Sequence, residues 1–251
     1  MRGFALLLFG IAFGLGPVFG QVSVKDSAVV VPMFKVNYTF QIPGGDMADR
    51  FGVNSVVGAS FMVKDRRGWL YGADGFFMFG SDVKEDDILA PISTPNQNLM
   101  DVNGEFADIR LLQRGWGFSA KFGKIIPTPL GNPNSGIKLM GGVGFLQHKI
   151  RIQNSGAGAP QIQGEYIKGY DRLSNGLMLS EFIGYQFLGN KRLINFYAGF
   201  EFQQAFTHIR RSFNFDQKMQ DTTERLDLLY GVRVGWIVPL YKKVARDFYF
   251  D

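Results

Sequence analysis

The segment RLDLLYGVRVGWIVPL, from Arg225 to Leu240, carries an apolar side chain at every second position. These residues are Leu226, Leu228, Tyr230, Val232, Val234, Trp236, Val238 and Leu240, and the positions between them include Asp227, Gly231, Arg233 and Gly235. Successive side chains of a β-strand point to opposite faces. The alternation therefore predicts a long strand with one apolar face, which either a protein core or lipid must cover.

Seven earlier segments also read as strands, which gives eight in all. Their approximate bounds are Val31–Ile42, Phe51–Lys64, Trp69–Gly80, Phe106–Gly123, Leu139–Gln153, Leu177–Leu188 and Leu193–His208. The apolar phase reverses within the fourth and fifth segments, and a β-bulge near Arg114 and Gly115 would explain the fourth. The connections on one side of the predicted barrel have about four, fourteen and four residues, and those on the other side have about nine, 24, 22 and 16. An even strand number with this asymmetry is typical of outer-membrane barrels.

The N-terminus MRGFALLLFGIAFGLGPVFG has one early arginine, a short apolar run and a small residue, Gly20, ahead of Gln21. This pattern predicts a secretory signal peptide over residues 1–20, cleaved near Gly20. A buried or membrane-spanning helix is the alternative, but glycines and a proline interrupt the run. Residues 21–251 then form a single barrel domain with a short periplasmic tail, YKKVARDFYFD.

Composition excludes several classes of function. The chain has no cysteine, which removes disulfides and thiolate chemistry. Its formal net charge is +5, too mild for a nucleic-acid partner. Because no phosphate-binding loop, dinucleotide fingerprint or metal-binding motif is present, we expect no cofactor and no metal.

Alternation alone does not separate a lipid-facing barrel from a soluble, lipocalin-like one, whose apolar face would point inward. The apolar faces here are crowded with rings such as Phe34, Phe61, Phe200 and Trp236, which an eight-stranded interior could hardly hold. The opposite faces mix glycine with single charges, as a tightly packed interior would. We therefore predict an all-β, eight-stranded antiparallel up-and-down transmembrane β-barrel.

The signal peptide, the eight alternating segments, the loop asymmetry and the aromatic end DFYFD resemble the porin-like outer-membrane β-barrels common in Bacteroidota, akin in architecture to OmpA and OmpX. The resemblance implies location in the outer membrane. This chain departs from the family pattern at Pro239, which is expected to end the last strand before the tail. Such barrels usually end on a terminal aromatic of the last strand, so the role of the tail stays open.

Two groups of residues are candidates for the barrel interior and for the membrane interface. We expect Glu201 to lie across from Arg233 and to pair with it inside the barrel. Lys35 and Asp227 are expected to join this pair in one internal charge network. The network is either a structural plug or a proton or ion pathway. Aromatic residues near the short-turn ends predict an interfacial girdle of Trp69, Tyr71, Tyr185 and Trp236.

The longest outer connection carries Asp82, Glu85, Asp86 and Asp87, which could bridge divalent cations to lipopolysaccharide phosphates or simply be solvated. His208, with Ser212 and Asp216 beyond it, could supply the Ser, His and acid of a hydrolase, and this segment weakly resembles the lipid A deacylases. His148 is the only other histidine in the sequence.

We expect a non-enzymatic barrel with a plugged lumen, acting as a structural or binding accessory subunit, for example of a secretion or assembly complex in the outer membrane. A narrow small-solute porin is the alternative, and a lipid A-modifying enzyme is a third. The expected partners are outer-membrane lipids, lipopolysaccharide and other outer-membrane proteins or lipoproteins.

Overall fold

A computed structural model describes residues 28–96, 98–128, 132–155, 158–189 and 194–240. Eight antiparallel strands form one closed ring in which each strand pairs with its neighbours in sequence and β1 pairs with β8. Their bounds are β1 Val31–Gly45, β2 Asn54–Lys64, β3 Trp69–Gly80, β4 Ile109–Pro127, β5 Gly136–Asn154, β6 Ser174–Leu188, β7 Asn195–Ile209 and β8 Glu224–Pro239. The predicted barrel of eight strands is confirmed. The predicted signal peptide and the tail lie outside the described residues.

Closure of the ring satisfies the backbone of every strand. Phe34 of β1 pairs with Phe61 on one side and with Val238 on the other, and the β1–β8 register runs unbroken from Met33 opposite Pro239 to Gly45 opposite Asp227. A closed ring has no edge strand whose backbone N–H and C=O groups would need other partners.

The connections differ strongly between the two ends of the barrel. Residues 65–68, 128–135 and 189–194 join strands at one end, which we call the short-turn end. Residues 46–53, 81–108, 155–173 and 210–223 join them at the other, the long-loop end. The long-loop connections contain the helix α1, Asp46–Arg50, and the 3-10 helices Asp86–Ile92, Pro160–Ile162 and Tyr166–Gly169. In the described residues, no helix has the length and apolar character needed to span a bilayer.

The bulky alternate residues point away from the barrel axis. Phe34, Phe61, Phe200 and Trp236 are 44%, 48%, 67% and 43% exposed, although they are large and apolar. Their neighbours along each strand, such as Lys35 and Arg233, are buried inside. The predicted orientation, with rings outside and the glycine-and-charge face inside, is confirmed.

The interior is layered along the barrel axis. A cluster of buried apolar residues fills the short-turn end, and a larger one fills the long-loop end, where loop residues such as Phe51, Leu89 and Tyr170 pack on strand residues. Charged residues lie between the two clusters. Along β8, for example, Leu229 belongs to the long-loop cluster, Arg233 to the charged layer and Ile237 to the short-turn cluster.

The predicted bulge near Arg114 and Gly115 is wrong. Arg114 pairs with Lys149 and Gly115 with His148 in a register that is continuous along both strands. Ile109 and Leu111 face inward in the same phase as the polar interior residues, because they pack against the apolar long-loop cluster. The phase of the apolar residues reverses along β4 because the barrel interior changes from apolar to polar. The alternation of inward and outward side chains stays regular.

Candidate functional site: the barrel interior and the long-loop end

An ion-pair network joins four strands at mid-height in the barrel. The guanidinium of Arg233 (β8) donates from Nη1 to Glu201 Oε1 at 2.6 Å, and from Nη2 to both oxygens of Asp74 at 2.8 and 3.0 Å. Lys121 (β4) donates to the same Glu201 oxygen at 3.2 Å and to Ser180 Oγ at 2.8 Å. All four charged groups are buried, so each depends on the others for compensation.

The register of the β7–β8 hairpin differs by two residues from the one predicted. Glu201 lies opposite Gly231, and Arg233 lies opposite Gly199. Glu201 and Arg233 are therefore diagonal neighbours, and the long arginine side chain still spans the gap. A Cβ at Gly199 would meet backbone of β6 and the ring of Phe182, and one at Gly231 would meet Thr39 and Gln41 of β1, so these glycines allow close packing of the neighbouring strands.

Lys35, predicted to join the Arg233–Glu201 pair, has other partners. Its ammonium donates to Gln186 Oε1 at 2.9 Å and lies 5.3 Å from the ring centre of Tyr197. Lys138 Nζ lies 3.8 Å from the same ring centre and 4.7 Å from that of Phe182. Each ammonium group is attracted to the negative face of the Tyr197 ring, but the two like charges repel each other.

Asp227 belongs to a separate cluster at the long-loop end, on the inward face of β8 beyond Leu229. Its carboxylate accepts hydrogen bonds from Arg50 at 3.1 Å and from Thr207 at 2.5 Å, and it lies 2.9 Å from His148 Nε2. Burial lowers the pKa of the Arg50 guanidinium, and Asp227 opposes that shift. Arg50 belongs to helix α1 and the other three side chains belong to strands, so the buried cluster ties α1 to the barrel wall.

Ion pairs also hold the long loops together. Arg172, whose φ of 49° is unusual for a residue other than glycine, donates to Glu85 at 2.8 Å and to Asp216 at 2.5 Å. Arg211 donates to both oxygens of Asp171. These contacts join the connections 81–108, 155–173 and 210–223 into one assembly over the barrel mouth.

The four acidic residues of the longest loop do not act as one group. Glu85 is paired with Arg172, and Asp82 lies against Gly52, whose N–H donates to the Asp82 carbonyl oxygen. Asp86 and Asp87 begin a 3-10 helix and line a cavity of about 600 Å³. Within the described ranges, no group of three His, Asp or Glu side chains is placed to hold a metal ion.

The cavity lies between the 81–108 loop and the outer end of β4. Its polar wall includes Asp86, Asp87 and Arg110, and its apolar wall includes Leu99 and Leu111. Its volume falls in the range of small-ligand sites, but its lining is more polar than apolar, so it would suit a polar or charged group.

The four residues predicted as an aromatic girdle all face outward. Trp69, Tyr71, Tyr185 and Trp236 lie on β3, β6 and β8 towards the short-turn end and are exposed. Trp69 stacks on Phe122 with ring centres 5.0 Å apart, and Lys124 lies 4.9 Å from the Trp69 ring. Whether a membrane interface lies at this level stays a prediction.

Sequence reasoning missed several members of the interior networks. Asp74 and Lys121 share the inward phase of their strands, so strand parity would have identified both once the bulge was discarded. Lys138 lies one residue before the predicted start of the fifth strand. Arg50 lies on a short helix, and nothing in the alternation pattern indicates that it turns into the barrel.

Comparison with solved structures gives matches at low sequence identity and with TM-scores below 0.5. No family model and no curated protein matches the chain. Neisserial surface protein A is 9% identical, with 82% of this chain and 96% of that one covered and a TM-score of 0.43. Ail of Yersinia pestis, in complex with the heparin analogue sucrose octasulfate, is 9% identical over 83% and 99% of the chains, with a TM-score of 0.36. The N-terminal barrel domain of Pseudomonas aeruginosa OprF is 10% identical over 82% and 96%, with a TM-score of 0.34. None of these similarities bears on the bacterial phylum, so the Bacteroidota assignment stays a prediction.

Proposed function

We propose that this chain is a non-enzymatic integral outer-membrane β-barrel with a plugged lumen, which acts as a structural or binding accessory subunit. The observation that carries the proposal is the outward face, where rings such as Phe34, Phe61 and Phe200 are exposed around a closed ring of strands. In water so large an apolar surface would drive association. In hydrocarbon it is the stable arrangement, because a closed barrel leaves no unsatisfied backbone.

The filled interior supports a plug. The two apolar clusters and the charged layer between them occupy the barrel axis, and the void beside Lys121, Glu201 and Arg233 is only about 20 Å³, about the size of one water molecule. Small eight-stranded barrels have interiors that side chains just fill. Passage of solute would require breaking the Arg233 ion pairs.

The long-loop end supports a binding role. Its loops are held by ion pairs and form the cavity beside Asp86, Asp87 and Arg110. A preformed, rigid surface binds a partner at lower entropic cost than mobile loops do. We propose that this surface engages other outer-membrane proteins or lipoproteins of a secretion or assembly complex.

The proposal is tested in two steps. The refolded protein should insert into lipid vesicles, migrate faster than the boiled protein on a denaturing gel, and give no sustained unitary current in a planar bilayer. Purification from its host in mild detergent should retain a stoichiometric protein partner. A barrel that stays in the aqueous phase, or that conducts steadily, contradicts the proposal.

A narrow porin is the second candidate, and the charge of the central layer favours it. Lys35, Lys121, Lys138 and Arg233 supply four basic groups there, against the two carboxylates of Asp74 and Glu201. A pore along this axis would favour anions. Steady currents with a reversal potential that indicates anion preference would therefore support the porin over the plug.

The geometry gives little support to a lipid A-modifying enzyme. Asp216 is engaged by Arg172, and across the described residues no hydrogen bond joins His208 to Ser212. His148 is buried against Asp227, away from the surface. Unchanged lipid A masses in cells that express the protein are the expected result.

A further inference from the structure

Basic side chains gather on the outer surface of the barrel at the long-loop end. Arg114 of β4 pairs across the sheet with Lys149 of β5, and Arg151 lies one outward position further along β5. Arg210, just after β7, donates to Asn175 Oδ1, and Asn175 donates to Gln147 on β5. We call Arg114, Lys149, Arg151 and Arg210 the basic ridge.

The ridge lacks enough acidic partners. Within the described ranges, Arg114, Arg151 and Arg210 form no ion pair. Lys149 Nζ lies 3.8 Å from Asp171 Oδ2, but both oxygens of that carboxylate accept hydrogen bonds from Arg211. Like charges placed directly opposite each other on a sheet are destabilising, so this arrangement calls for an anion from outside the chain.

Directly below the ridge lies an aromatic cluster on the same outward face. Moving down the β4–β5 hairpin, the Arg114–Lys149 pair is followed by Trp116 opposite Gln147, and then by Phe118 opposite Phe145. The three rings contact one another with centres 5.6 to 6.1 Å apart. Each step down is about 7 Å along the strand, so Trp116 lies about 7 Å and the Phe118–Phe145 pair about 14 Å below the cations. The headgroup region is about 5 to 8 Å deep, so this distance leads from phosphate level into hydrocarbon.

We infer that the ridge and the aromatic cluster together bind a phosphorylated glycolipid of the lipid A type, with phosphates on the cations and acyl chains on the rings. The inference rests on the proposed function, which places the long-loop end at the outer leaflet. Four cations spread from β4 to the end of β7 span about 14 Å at the usual strand spacing, which suits a headgroup with two phosphates. Acyl chains would cover the aromatic cluster, which lies on the same outward face as the cations, and this favours a lipid over an acidic protein partner.

The test compares lipid A binding by barrels reconstituted in phosphatidylcholine vesicles with added bisphosphorylated lipid A. The ridge variant is Arg114→Gln/Lys149→Gln/Arg151→Gln. The control is Arg66→Gln/Arg67→Gln/Lys124→Gln, which removes the same charge at the short-turn end. Each cation at a lipid surface contributes roughly fivefold, so we expect the ridge variant to bind roughly 100-fold more weakly. The control should bind as the wild type does.

Further variants and ligands identify what binds and separate loss of binding from loss of folding. The charge-conserving variant Arg114→Lys/Lys149→Arg/Arg151→Lys should retain binding, and dephosphorylated lipid A or inorganic phosphate alone should bind poorly. Arg151→Gln alone, at an exposed position, should lower affinity roughly fivefold and serves if the triple variant does not fold. Inserted barrels that bind lipid A equally in all variants would overturn the inference, whereas failure of the wild type to insert would overturn the proposed function.

Discussion

Arg233 is the residue on which the charged layer depends. Its guanidinium is the shared partner of Asp74 and Glu201, which come from strands on different parts of the ring. A carboxylate buried among side chains is strongly disfavoured without a cationic partner. Arg233 therefore allows both acids to remain charged in the interior.

Replacement of Arg233 by methionine tests that role. Because Arg233→Met leaves Asp74 unpaired and Glu201 with Lys121 alone, we expect the free energy of unfolding to fall by about 3 to 5 kcal/mol. Urea titration of the folded barrel, followed by tryptophan fluorescence, measures the change. Arg67→Met, at an exposed turn residue, should change stability by less than about 0.5 kcal/mol. Equal stability of the two variants would contradict the proposed role.

Glu181 is an acidic residue on the outward face at the middle of β6. It pairs with Gly141 on one side and with Phe202 on the other, and the next outward residue is Ile183. If the outward face contacts hydrocarbon, this carboxylate lies near the bilayer centre, where an ionisable side chain is costly.

Replacement of Glu181 by leucine should therefore stabilise the barrel in a bilayer by about 1 to 2 kcal/mol. Unfolding in phosphatidylcholine vesicles measures the effect, and Glu224→Leu, at the outer end of β8, is the matched control with little expected change. A loss of stability in Glu181→Leu would instead indicate that the carboxylate has a polar partner in the membrane.

Glycines on β5 serve different purposes on its two faces. A Cβ at the inward-facing Gly144 would lie 2.0 Å from the Phe118 carbonyl oxygen, whereas nothing lies within 4 Å of a Cβ at the outward-facing Gly141. The close approach at Gly144 is to backbone of the neighbouring strand, which cannot move without disturbing the ladder.

The matched pair Gly144→Ala and Gly141→Ala tests this difference. We expect Gly144→Ala to cost about 1 to 3 kcal/mol through overpacking, and Gly141→Ala to be neutral or slightly stabilising. Thermal unfolding, monitored by loss of the fast-migrating gel band, reports both. Similar midpoints for the two variants would show that the β4–β5 contact adapts.

The strand pattern predicted the ladder better than it predicted the ends of the strands. The bounds of β3 match the predicted segment, because Trp69 follows a polar turn and Gly80 precedes a polar loop. At the outer end of β4, apolar residues face inward because loop residues cover them. Alternation assumes one polarity for each face along the whole strand, and that assumption fails where the interior changes from charged to apolar.

The whole barrel is closed by more than its loops. The short-turn cluster and the charged layer remain if the loop assembly is removed, because their residues come from strands alone. The loops therefore add a third barrier to a lumen that is already filled.

A variant in which a short Gly-Ser turn replaces residues 84–106 tests this closure. It removes Ile88, Leu89 and Leu99 from the long-loop cluster and Glu85 from Arg172, so we expect lower stability with the barrel still formed. Planar-bilayer recordings should remain free of sustained unitary currents. Currents that appear only in this variant would mean that the loops alone close the lumen.

Alternation predicted the eight strands, the connection lengths predicted their up-and-down order, and the bulk of the rings predicted that they point outward. These properties follow from local periodicity and from the volume that a small barrel can enclose. The partners of each charge depended on register and on contacts between distant strands, as the shift of Glu201 to Gly231 and the meeting of Arg233 with Asp74 demonstrate. Such contacts arise only when the ring closes, because closure brings side chains far apart in sequence across one narrow interior.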